Sequence, residues 1–262
     1  MSPLSLPRSL CRSAVRLVLP ALLLVHGAQA ADGLPATGLT PMPRIAIIID
    51  DLGYRFAEGR RAIGLPGPVA CAVLPATPRG SDLARLAAEA GKEVLLHLPL
   101  EAQNQVGFRD PGTLSMDMSR RQFAEAFATS LADVPQAIGV NNHRGSLLTR
   151  HPGHMTWLME ELRARKGLFF VDSYTTHHSV ALSIAAEAGV PAIRRHVFLD
   201  NDRSAAGIAT EFDRLLHLAR RNGAAVGIGH PYPETLRFLE QMLPQLPREG
   251  VELVRISELL PY

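Results

Sequence analysis

Cysteine is almost missing from this chain. Only Cys11 and Cys71 occur, and one of them lies in the N-terminal segment read below as a leader. The remaining Cys71 has no partner for an internal disulfide, even in a compartment that permits one. It falls in the apolar run Val69–Leu74 and reads as a small buried hydrophobe. Lysine is scarce as well, with Lys92 and Lys166 alone among the basic residues. No basic stripe stands out, so nucleic-acid binding has no support. Ser146 and Ser173 lie near histidines, but no G-x-S-x-G elbow surrounds either, which excludes serine-based hydrolysis of that kind. The turn after the first strand reads Asp50-Asp51-Leu52-Gly53. That excludes a glycine-rich phosphate loop and a dinucleotide fingerprint. There is no low-complexity segment, no coiled coil and no second hydrophobic span.

The one hydrophobic span opens the chain. Arg8, Arg12 and Arg16 precede a short apolar stretch, Leu17 to Val25, and Ala28-Gln29-Ala30 forms an A-x-A cleavage site. The stretch is too short for a permanent membrane anchor. Residues 1–30 are therefore expected to be a cleaved secretory signal, with Ala31 the mature start and no membrane span afterwards. The expected location is periplasmic or secreted. Loss of the three leader arginines turns the formal net charge from +2 to −1. Residues 31–43, with Gly33, Pro35, Gly38, Pro41 and Pro43, read as a loose lead-in. Residues 44–262 then form a single domain.

That domain alternates short apolar runs with helical periodicity. Strands are predicted at 44–49, 69–74, 93–97, 137–141, 168–172, 196–200, 224–229 and 251–255. Helices are predicted at 81–90, 120–131, 155–165, 180–188, 206–221 and 234–243. Seven or eight strand–helix units in one domain point to a distorted (β/α) barrel, whose chemistry sits at the carboxyl ends of the strands.

The strand ends carry the chemistry-bearing residues. The isoleucine-rich first strand runs straight into Asp50-Asp51. The third ends on His97-Leu98-Pro99-Leu100-Glu101, the fourth on Asn141-Asn142-His143-Arg144, the fifth on Asp172, the sixth near Asp200, and the seventh on His230. Carboxylates following a buried run are costly unless a cation sits beside them. One such histidine is an ordinary structural residue. Three of them beside an aspartate pair indicate a divalent metal, with zinc favoured by the imidazole–carboxylate set. His151, His154, His177, His178, His196 and His217 lie in loops or on helices and are not expected to be ligands.

Taken together, IDDLG, HLPLE, NNHRGS, VDSYT and GHPYPET resemble the divergent polysaccharide deacetylases, a branch of the polysaccharide deacetylase (carbohydrate esterase family 4) superfamily. The resemblance spans roughly residues 44–258. It implies removal of N-acetyl groups from a sugar by a metal-dependent hydrolase acting on C–N bonds other than peptide bonds. It also implies Asp50 as base, Asp51 as metal ligand and His230, in Ile228-x-His230, as acid. The superfamily's His-x-x-x-His ligand motif stands here as His97-x-x-x-Glu101, and its Arg-x-Pro-x-Gly motif as Asn141-x-His143-x-Gly145. A histidine is lost in one motif and gained in the other. The expected ligands are accordingly Asp51, His97 and His143. Glu101 is the rival third ligand or an outer partner orienting His97. Asp172 is expected to orient a histidine or arginine. Asn142 and Arg144 are expected to contact the sugar.

The expected function is thus hydrolysis of an acetylated glycan of the cell envelope. Two other classes share the fold: a non-catalytic metal-binding envelope protein, and another metal hydrolase such as a phosphoesterase or amidase.

Overall fold

The computed structural model describes residues 41–103 and 109–261. The leader and most of the lead-in lie outside these residues. The elements run β1 (Arg44–Leu52), α1 (Phe56–Ile63), β2 (Ala70–Val73), α2 (Gly80–Glu89), β3 (Val94–Leu100), α3 (Arg120–Asp133), β4 (Gly139–Arg144) and α4 (Pro152–Ala164). They continue with β5 (Phe169–Asp172), α5 (Ala181–Ala188), β6 (Ala192–Arg194), β7 (Val197–Phe198), α6 (Ala205–Asn222), β8 (Ala224–Gly229), α7 (Pro233–Met242) and β9 (Glu252–Leu253). The strand order is β6-β5-β4-β3-β2-β1-β8-β7, and every pairing is parallel. Among the described residues no ladder joins β6 to β7, so this distorted (β/α) barrel stays open at one seam.

The eighth predicted strand is not a further stave. β9 pairs with β1 at Arg44 and Ile45. β2 joins β1 only from Ile48 onward, and β8 occupies the other edge of β1 along Arg44–Ile49. β9 therefore satisfies the backbone groups that β2 leaves open. The strand pattern missed β6, three residues in length. The helical pattern missed α1, whose Arg60-Arg61 pair and central Gly59 interrupt its apolar face. Gly59 is needed there because a Cβ would meet the Leu83 side chain at 2.5 Å.

Alternation along the strands sorts the core into two layers. Ile45, Ile47 and Ile49 face the helices, together with Leu96, Leu98, Val140 and Phe170. Ala46 and Ile48 fill the barrel interior with Ala70, Ala72, Leu95, Val171, Val226 and Ile228. Ile256, from the last 3-10 turn, joins the same interior layer. The four isoleucines of β1 are fully buried, each worth about 1.5–3 kcal/mol of transfer free energy.

Candidate active site

The two-layer alternation decides which strand-end residues reach the interior. Asp50 is in phase with Ala46 and Ile48, His97 with Leu95, Asp200 with Phe198, and His230 with Ile228. Asn141 and His143 alternate with Val140, which faces the helices. All six groups are therefore delivered inward at one rim.

Asp51 has the wrong phase and would face the helices if β1 continued regularly. Its backbone instead turns into the left-handed region, φ 58°, where the register between β1 and β2 also shifts. The chain thus bends at Asp51, two residues before Gly53. Gly53 has its own reason to be glycine. It sits at φ +143°, and a Cβ there would lie 2.1 Å from Thr77 Oγ1.

Turned back, Asp51 Oδ1 lies 2.9 Å from His143 Nδ1 and 3.1 Å from His97 Nε2. The two nitrogens are 3.2 Å apart. The oxygen is buried without a well-formed hydrogen bond. Three donor atoms on a triangle of this size match a divalent ion bonded at about 2.0–2.2 Å, which sets tetrahedral ligands about 3.3 Å apart. Burial alone would raise the Asp51 pKa. The close approach of His143 and His97 outweighs it and holds the carboxyl far below the usual range.

Both imidazoles are fixed from behind. Asn141 Nδ2 donates to Asp50 Oδ1 at 2.8 Å, so its Oδ1 is left to accept from His97 Nδ1 at 2.9 Å. That leaves the His97 Nε2 lone pair facing the cluster. On His143 the roles of the ring nitrogens are reversed. Nδ1 faces the cluster, while Nε2 lies 3.3 Å from Asp110 Oδ2 and 3.2 Å from Arg144 Nε. Asp110 Oδ2 and Arg144 Nε are themselves 3.1 Å apart. As the side chains stand, Arg144 Nε–H donates to Nε2; once Nδ1 serves as a ligand and Nε2 carries the proton, Asp110 Oδ2 is the acceptor within reach.

Asp50 lies beside this cluster, 3.6 Å from His97 Nε2. It is 2% exposed. Burial raises its pKa, against the opposing charges of His97 and His230. Across the site, His230 Nε2 lies 3.9 Å from Asp51 Oδ2. Its Nδ1 is 2.8 Å from Asp200 Oδ1. Asp200 Oδ2 accepts from the His230 backbone N–H at 2.7 Å and from Thr235 Oγ1 at 2.8 Å. Burial would lower the His230 pKa. The Asp200 hydrogen bond and the charges of Asp200, Asp50 and Asp51 prevail and raise it to about 9.

Four expected residues do other work. Glu101 is turned into the following loop, where Oε1 accepts from Arg109 at 2.9 Å and Oε2 from the Met116 N–H at 2.7 Å. It is not part of the ligand triangle. Asn142 and Asp172 share the phase of Val140 and Phe170 and so leave the interior. Asn142 accepts from Ser173 N–H and donates to the Arg144 carbonyl, which removes it from sugar contact. Asp172 orients neither a histidine nor an arginine through its carboxylate. Its oxygens accept from Tyr174 N–H and Ser179 Oγ. These bonds brace two left-handed residues, Arg144 (φ 57°) and Tyr174 (φ 50°). The Arg144 side chain faces Asp110 and His143, with 46% of it exposed. Asn141, Asp110 and Asp200 were given no role by the sequence. Parity with the preceding apolar residues could have singled out Asn141 and Asp200, but nothing local marks Asp110.

The chain matches the divergent polysaccharide deacetylase family over residues 47–260. YibQ of Escherichia coli (strain K12) is 38% identical over 217 residues, covering 83% of this chain and 67% of that protein. A Haemophilus influenzae (strain ATCC 51907 / DSM 11121 / KW20 / Rd) protein is 38% identical over 216 residues, covering 82% and 76%. The crystal structure of ATU2773 from Agrobacterium tumefaciens C58 aligns with a TM-score of 0.80 at 26% identity, covering 86% of this chain and 92% of that one. A mutant CE4 family pseudoenzyme with restored enzymatic activity shares the fold, at TM-score 0.50 and 17% identity over 84% of this chain and 68% of its own. The match runs from the middle of β1 through the last 3-10 turn, and on that ground the chain belongs to the divergent polysaccharide deacetylases.

Proposed function

We propose that this protein is a metal-dependent hydrolase of the cell envelope that removes N-acetyl groups from a glycan. The observation carrying this reading is the pairing of a buried carboxylate, Asp50, with an Asp-held imidazole, His230, on either side of a ready ligand triangle. A pure metal-binding module needs the triangle but neither flanking group. Asp51, His97 and His143 would hold the ion, zinc by their chemistry. When bound, it would polarise the acyl oxygen and lower the pKa of water.

The chain's own groups divide the proton work. Asp50, anchored by Asn141, accepts the proton of the attacking water. His230, kept protonated at neutral pH by Asp200, delivers a proton to the departing amine nitrogen. The low exposure of Asp50 and His97 keeps bulk water from competing at the base. Among the described residues no helix is long and apolar enough to cross a membrane. The leader pattern of residues 1–30 is what supports a periplasmic or secreted location.

The test uses zinc-loaded chain beginning at Ala31 and an N-acetylated chito-oligosaccharide. Acetate release should be lost by about 10²–10⁴-fold in Asp50→Asn, with zinc content unchanged. Asp51→Asn should lose zinc as well. A zinc-bound protein that releases no acetate from any acetylated glycan would leave the non-catalytic binding role instead.

A further inference from the structure

Beside the ligand triangle lies a cavity of about 240 Å³, bordered by Asp51 and His230 at one end and by Tyr54, Arg55, Arg203 and Tyr232 around its mouth. We infer that this mouth is an anion subsite. It would take a carboxylate or phosphate carried by the substrate sugar, or by the sugar next to it, while the acetamide sits at the base and acid. The inference rests on the hydrolase reading above and narrows its substrate class to acidic acetamido glycans.

The two guanidiniums are what a neutral sugar would not need. Arg203 stacks on the Tyr232 ring, its Cζ 4.2 Å from the centroid. Stacking fixes the plane of the guanidinium and leaves its edge free for in-plane acceptors. The carboxylate it faces, Glu234, stands 3.5 Å away, well beyond the about 2.7–2.9 Å of a charge-assisted bond. Arg55 is likewise only loosely held, 3.5 Å from Glu58, with its side chain 74% exposed. Some arginines elsewhere in the chain are closely paired. Arg61 grips Glu240 through two bonds of 2.6 and 2.7 Å, and Arg120 reaches Glu160 and Glu161 at 2.9 and 3.1 Å. The two guanidiniums that line the cavity thus keep donors free for a ligand.

The aromatic walls complete the subsite. Tyr54 is half exposed, and with Tyr232 it offers ring faces on which a sugar can stack. Asp51 lines the inner end, with Asp50 buried behind it, so an anion is repelled from the reacting centre and settles at the arginine-lined mouth. That arrangement orients an acidic glycan with its neutral acetamide inward.

Calorimetry on zinc-loaded chain beginning at Ala31 tests this. Hyaluronan tetrasaccharide is compared with neutral tetra-N-acetylchitotetraose for the carboxylate, and N-acetylglucosamine 6-phosphate with N-acetylglucosamine for the phosphate. At about 20 mM salt at least one acidic probe should bind about tenfold tighter than its neutral partner, and the preference should shrink as salt screens it. Arg203→Ala and Arg55→Ala should each bring the ratio toward one, and Arg203→Lys should retain part of it. Equal affinities, a preference untouched by the double Arg55→Ala/Arg203→Ala variant, or no binding of any probe overturns the inference. Acetate release from both tetrasaccharides is measured alongside. Release without preference would sink the subsite and keep the hydrolase. Preferential binding without release would do the reverse.

Discussion

Replacing Asp200 by Asn removes one charge and leaves the shape of the side chain. Asp200 is 4% exposed and accepts from His230 twice, at Nδ1 and at the backbone N–H. A hydrogen bond to a charged partner is worth about 1.5–3 kcal/mol, which corresponds to about one to two pKa units. Burial, no longer offset, then pulls His230 from about 9 toward or below its ordinary value. At pH 7.5 an imidazole of pKa 9 is about 97% protonated, whereas one of pKa 6.5 is about 9% protonated. The acid needs its proton, so wild-type turnover should hold through neutrality and fall as pH rises through about 9. With that one to two units removed, Asp200→Asn should lose up to about four-fold at pH 7.5 from protonation alone, and its alkaline limb should move down by at least about one unit. The assay is acetate release from tetra-N-acetylchitotetraose across pH 5.5–10, with zinc content checked at each point because Asp200 touches no ligand of the triangle. A uniform drop at every pH, with the limb unmoved, would refute the reasoning and reduce Asp200 to a brace for the β8–α7 turn. The same pair has a stability signature in metal-free protein. His230 is raised in the folded state, so its contribution is full below about pH 6.5 and is lost as pH rises through about 9.

Further outcomes separate the ligand set from its surroundings. His143→Ala should abolish stoichiometric zinc binding, measured by metal analysis after gel filtration, whereas Glu101→Ala should retain it; the opposite pattern would exchange their roles. Asp110→Ala should weaken zinc about 10–100-fold by freeing the far nitrogen of His143, read by competition with a chromophoric chelator; unchanged affinity would show that Asp110 does not position the ring. Gly53→Ala should destabilise the fold by more than about 1 kcal/mol in urea melts, because it combines a strained φ with a clash at Thr77.

The strand–helix alternation was readable because β-branched runs such as Ile45–Ile49 and Val94–Leu96 leave little choice of structure. The site was readable in part. Asp50, His97 and His230 follow apolar residues whose inward phase they inherit, and His143 takes the inward phase opposite to Val140. Asn142 and Asp172 stand next to the site residues but on the helix-facing phase of Val140 and Phe170, so adjacency alone points to the wrong face. Asp51 defeats phase altogether, since a left-handed backbone overrules the alternation. Asp110 arrives from the segment between β3 and α3, and local sequence gives no account of which strand end such a segment will cover. β6 was missed because three residues carry too little pattern, and β9 was overextended because Val251–Arg255 looks like a stave while pairing through only two residues.

Asp51, Ala76, Arg144 and Tyr174 are the non-glycine residues described with positive φ. Each follows the carboxyl end of a strand or closes one, and left-handed backbone costs an L-residue about 1–2 kcal/mol. Together they withhold about 4–8 kcal/mol from a fold whose net stability is of order 5–15 kcal/mol. A random library of this chain screened for heat resistance alone, with no substrate and no metal, should therefore drift toward glycine or asparagine at these positions. Tyr174→Gly is the simplest case, with its melting temperature expected to rise by a few degrees. Such a screen would outline the working rim of the barrel as the set of places where the chain is not written for folding.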